Sequence, residues 1–127
     1  MKRKTILPSR EVLCQIFSYD PDSGELRWKE RPRAHFFSNN SWSKFNSQMA
    51  GRVSGTQQFR KTGDPSCILV RFTIGGQLRA TPATAIIFGL LGVTIPHGWE
   101  VDHRDHDPFN NRWVNLRLCT SQQNTFN

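Results

Sequence analysis

The apolar positions of this chain fall into short runs whose period changes from helical to alternating and back. Val12, Leu13, Ile16 and Phe17 recur at helical spacing after Ser9, which is placed to cap a first turn. An amphipathic helix packed by one face is predicted there, ending before Asp20-Pro21-Asp22-Ser23-Gly24, a dense turn signal. Glu25 to Lys29 alternates with period two, which predicts a short strand with Leu26 and Trp28 inward. From Arg31 to Gln58 the pattern dissolves: Phe36, Phe37, Trp42 and Phe45 are scattered among Ser, Asn and basic residues. That stretch reads as a long loop whose aromatics either pin it to the core, their commoner use, or contact nucleic acid beside Arg33, Lys44 and Arg52.

Periodicity returns at Cys67 to Ile74 and Gln77 to Thr81, which flank Gly75-Gly76, a linker able to take the positive φ angles of a tight hairpin. Thr81 as cap, Pro82 at the first helical position and Gly92 as terminator bracket a predicted core helix carrying Ile86, Ile87, Leu90 and Leu91. The apolar part of the run from Ala80 to Pro96 is too short and too interrupted for a membrane span. Trp99 to His103 reads as a strand entering a polar loop, Arg104 to Asn111. Val114 to Leu118 reads as a second strand, with Val114, Leu116 and Leu118 inward and Asn115 and Arg117 sharing the other face. Thr120 and Gln123 have the spacing of a capping box, opening a helix whose first turn contains Asn124. The elements together predict an α+β fold, and 127 residues suit one domain spanning 1–127.

Composition adds a partner. Seventeen Lys and Arg against ten Asp and Glu give a formal charge of +7, which favours a polyanion because phosphate neutralisation releases counterions. The excess is uneven: residues 1–79 carry fourteen basic and six acidic groups, residues 80–127 three and four. Backbone attraction and chemistry are thus expected in different stretches. Three widely spaced cysteines without a Cys-x-x-Cys pair argue against a disulfide framework or a structural zinc site, and fit a reducing, cytoplasmic setting.

The segment Val101 to Asn127 combines Asp102-His103, Asn111-Arg112, Asn115-Leu116-Arg117 and Asn124, and in that combination it resembles the HNH endonucleases of phages and homing elements. Ile16 to Trp28 resembles, more weakly, the amino-terminal part of phage HNH proteins. The resemblance implies a ββα-metal motif over 94–127, preceded by a helix and hairpin region, 1–93, that acts as scaffold and contacts DNA. It implies Asp102 and Asn124 as ligands of Mg²⁺, Mn²⁺ or another divalent ion, an H-N-N variant in which Asn stands where His is commoner. His103 would be the general base, and Asn115 would hold the loop and orient its ring. Arg112 and Arg117 beside the motif, and Lys44, Arg52, Arg60 and Lys61 upstream, are the expected nucleic-acid contacts. The activity implied is metal-dependent hydrolysis of DNA phosphodiesters, with no membrane association. Relatives often carry His-Arg where this chain has Ala83-Thr84, which motivates an alternative: an HNH scaffold that binds nucleic acid or a host protein without cutting.

Overall fold

The computed structural model describes residues 7–125, with side chains through Gln123. Helix α1 (Arg10–Ile16) starts where Ser9 Oγ accepts the amide of Val12 at 3.3 Å, and it buries Leu13 and Ile16 completely. The chain then folds into an antiparallel hairpin of β1 (Phe17–Tyr19) and β2 (Leu26–Trp28), with Leu26 and Trp28 inward as their alternation requires. Phe17 therefore belongs to the strand rather than to the helix. Its ring stacks on Trp28 at 5.0 Å and meets Phe72 edge-on at 5.4 Å.

The predicted loop from Arg31 to Gln58 is instead largely ordered into elements. A single 3₁₀ turn (Arg33–His35) leads to helix α2 (Asn39–Gln48), capped by Ser38 Oγ on the amide of Ser41, and Thr56–Phe59 forms strand β3. The helix exists because Trp42, Phe45 and Met49 recur at helical spacing and reach one apolar face: Phe45 meets Trp28 edge-on at 5.5 Å, and Trp42 Nε1 donates to the Arg31 carbonyl. Tertiary contact here outweighs the poor helix propensity of Asn and Ser.

Strands β4 (Pro65–Ile74) and β5 (Gln77–Pro82) form the expected hairpin, with Gly75 and Gly76 at φ 59° and 75°, and β3 adds to the other edge of β4. Helix α3 (Ala83–Leu90) follows at once. The expected cap is displaced by one residue: Pro82 is the N-cap and makes no side-chain bond, while Thr81 is buried in β5. Ile86, Ile87, Phe88 and Leu90 of α3 join Leu13, Ile16, Phe17 and Val70 in the core. Strands β6 (Trp99–His103) and β7 (Leu116–Thr120) pair antiparallel, and α4 (Ser121–Thr125) closes the described chain. No helix among the described residues is long and apolar enough to cross a membrane.

One partly buried titratable group gives a pH dependence. His35 Nδ1 accepts from Arg31 Nε at 3.1 Å and its Nε2 faces Gln15 Oε1 at 3.1 Å, so the ring is neutral with its proton on Nε2. Burial and the Arg31 charge hold its pKa below the ordinary 6.5. A depressed folded-state value means stability is fully present above about pH 6.5 and falls as pH drops through the folded value. The urea midpoint should therefore decline between about pH 7 and pH 5, and His35→Gln, which keeps an acceptor and a donor, should flatten that decline. An equal decline in the variant would place the cause elsewhere.

Candidate active site

The loop between β6 and β7 is built from its own polar side chains. Asp105 accepts from the Asp107 amide at 2.9 Å, from Asn110 Nδ2 at 2.7 Å and from Asn115 Nδ2 at 2.9 Å. Three donors on one carboxylate hold its pKa down to about 2. Asp107 starts a further turn by accepting the Phe109 amide, so both aspartates organise turns as their positions suggest. Asn115 is buried and closes the loop from below: its Oδ1 accepts the Asp105 amide at 3.0 Å and its Nδ2 also donates to the Asn110 carbonyl at 2.8 Å.

That arrangement corrects the expected second strand. Trp113–Asn115 is a 3₁₀ turn, the strand begins only at Leu116, and Val114 is 80% exposed rather than inward. The turn is what swings Asn115 inside to hold the loop. Asn115 thus has the expected hold on the loop but no bond to the His103 ring. The ring is held by Asn111 instead, whose Oδ1 lies 2.8 Å from His103 Nε2. Since an amide oxygen only accepts, Nε2 carries the proton and Nδ1 keeps its lone pair, with no hydrogen-bond partner among the described residues.

Asn111 is 3% exposed and was not singled out from the sequence, although the Asn111-Arg112 pair carried part of the resemblance. The amino-terminal hairpin fixes it. Tyr19 Oη donates to the Asn111 carbonyl at 2.6 Å, and the Trp113 amide donates to the Pro21 carbonyl at 3.0 Å. Burial pushes the Tyr19 phenol up to about 12, so it remains a donor. Gly24, at φ 79°, lies so close that a Cβ there would come within 2.5 Å of the Arg112 nitrogen. Only glycine permits both the conformation and the approach.

Asp102 and His103 open together onto a polar cleft of about 470 Å³. Its other lining comes from the turn between β3 and β4, with Arg60 and Asp64, and from the start of β4, with Ser66, and His106 stands at the same cleft. Asp102 lies across from Arg117 in the β6–β7 register, and Arg117 bonds its Oδ2 through Nε at 2.9 Å and Nη2 at 2.8 Å. Oδ1 has no hydrogen-bond partner among the described residues. Of the expected nucleic-acid contacts, Arg60 lines the cleft, Arg117 is engaged by Asp102, and Lys44, Arg52, Lys61 and Arg112 are exposed outside it. No three His, Cys, Asp or Glu residues cluster among the described residues, so a cage made of such ligands alone is absent there. One free carboxylate oxygen in a polar, open cleft does suit a hard ion that keeps several waters. The Asn124 side chain lies outside the described residues. The reciprocal capping box at its helix is formed, Gln123 amide to Thr120 Oγ1 at 3.1 Å and Thr120 amide to Gln123 Oε1 at 3.0 Å.

Comparison with known proteins bears on this unit. Residues 91–126 match the family described as HNH endonuclease. A solved structure entitled "DNA binding and cleavage by the HNH homing endonuclease I-HmuI" is similar over 87% of this chain with a TM-score of 0.51 and 18% identity. The alignment covers half of that longer protein, and the likeness speaks for the α+β fold. No curated protein is a significant match. The strand, loop, strand and helix that carry Asp102, His103 and Asn115 all lie within the residues that match the HNH endonuclease family.

Proposed function

We propose that this chain is a divalent-metal-dependent endonuclease that hydrolyses DNA phosphodiester bonds at the Asp102–His103 cleft. The observation that carries the reading is the fixed ring of His103: with Nε2 tied to Asn111, the imidazole keeps Nδ1 as its basic nitrogen, in a ring that lines the same cleft as Asp102. In this reading His103 takes the proton of the attacking water. Asp102 and Asn124 would hold the ion, which would supply polarisation of the scissile phosphate and stabilise charge on the departing 3′ oxygen. Arg60 meets a phosphate from the β3–β4 turn, and Asn115 acts as a positioning residue by closing the loop. Residues 94–127 supply the chemistry, and residues 1–93 the scaffold and the remaining phosphate contacts.

Arg117 has two consequences. It neutralises a largely buried carboxylate, and an ion approaching Asp102 must share Oδ2 with it or use Oδ1. That pairing is also the observation that favours the alternative, an HNH scaffold that binds DNA or a protein without cutting. Supercoiled plasmid separates the two. Mg²⁺ or Mn²⁺ should produce nicked circles, chelator should stop the reaction, and Asp102→Asn should lose it. DNA binding with no divalent-dependent nicking under any of these conditions would select the alternative.

A further inference from the structure

A second cavity, of about 410 Å³, lies between α2 and the β4–β5 hairpin and shares no residue with the Asp102–His103 cleft. Along β4 the two are separated by the stretch from Ser66 to Arg71, about 17 Å at about 3.3 Å per residue. One phosphate cannot serve both. The walls are aromatic, formed by Trp28, Phe36, Phe37 and Phe45, and the polar lining includes Arg31 and Arg71 but no Asp or Glu.

Arg31 is the unusual member. It is 4% exposed, yet no carboxylate among the described residues bonds it. Its guanidinium lies 5.0 Å from the Phe36 ring centroid and 5.2 Å from that of Phe45. Nε meets the neutral His35, and Nη2 donates to the Thr73 carbonyl at 2.8 Å. Every partner is uncharged, whereas buried cations ordinarily sit against an anion. At the mouth of the cavity Phe37 is 88% exposed and Leu78 69% exposed, with the Phe37 ring against Gly76 of the hairpin turn. An uncompensated cation, flat aromatic walls and an exposed aromatic at the rim call for a ligand that joins a flat ring to a negative charge.

We propose that this cavity takes one unpaired nucleotide of a DNA strand, its base against the aromatic walls and its phosphate toward Arg31 and Arg71. The inference rests on the DNA-directed reading above, since a free nucleotide would satisfy the same chemistry. Its volume is within the range of about 300–1,000 Å³ usual for small-ligand sites, a size suited to a single nucleotide. Base stacking on an exposed aromatic is sequence-tolerant, so the site would recognise a distorted strand rather than a sequence.

Anisotropy titrations of the full chain in chelator test this with three labelled DNAs: a perfect duplex, the same duplex with one bulged nucleotide, and the single strand. The bulged duplex should bind more tightly than the perfect one. Phe37→Ala, at an exposed position, and Arg31→Lys, which keeps the charge but not the planar fork, should each weaken bulge binding by about tenfold. Perfect-duplex affinity should stay within about twofold in both. A 2-aminopurine at the bulge should change its emission on binding to the wild type and not to Phe37→Ala. Free deoxynucleotide competing equally well against bulged and perfect duplex, no preference for the bulge, or equal losses on both duplexes in Phe37→Ala would each overturn the proposal. Because no cleavage is read, a chain that prefers the bulge but never nicks plasmid defeats only the nuclease reading. Nicking without bulge preference defeats only this one.

Discussion

Plasmid nicking should fall by about two to four orders of magnitude in His103→Ala, the usual contribution of a positioned general base. The fold should survive, because the ring is half-buried and its one side-chain bond among the described residues is to Asn111. His106 shares the cleft and is the natural control: it sits at φ 64° in the loop, and His106→Ala should keep most of the activity. Asn111→Ala should lie between the two, about 10- to 100-fold down, with the loss in kcat rather than KM because Asn111 acts through the ring. Initial nicking rates over a range of plasmid concentrations measure all three. Undiminished activity in His103→Ala would remove the base from the mechanism.

Phe17→Ala should cost about 3–5 kcal/mol of stability, a large share of the roughly 5–15 kcal/mol expected for a domain. Phe17 is 2% exposed and sits where α1 turns into β1, between Trp28 of β2 and Phe72 of β4. Its loss therefore opens a cavity at the joint between the amino-terminal hairpin and the central sheet. Urea unfolding of the two proteins gives the difference directly. A change below about 1 kcal/mol would mean that the neighbouring rings collapse into the space.

The elements legible in the sequence are those whose own side chains decide them. The first helix, the β1–β2 turn, the glycine hairpin, the apolar α3 and the Thr120–Gln123 box each carry a local signal, and each is present. Helix α2 escaped because its residues, Asn39 to Gln48, are mostly Ser and Asn, and contacts from distant Trp28 and Arg31 are needed to hold its apolar face. Val114 was misplaced because Val-Asn-Leu-Arg-Leu alternates whether or not a 3₁₀ turn precedes the strand. Around the cleft, Asp102, His103 and Asn115 were legible from motif spacing. The bond from His103 to Asn111 and the pairing of Arg117 with Asp102 were not, since each depends on loop path or strand register, which alternation does not specify.

The Asp20–Gly24 turn, seated on Asn111 and Arg112, has a consequence for anyone recombining such proteins. A chimera that imports the polar loop of a relative while retaining this hairpin would set a foreign backbone against Gly24 and Tyr19, with no slack to absorb a misfit. Hairpin and loop should be exchanged as one cassette, although some eighty residues of chain separate them.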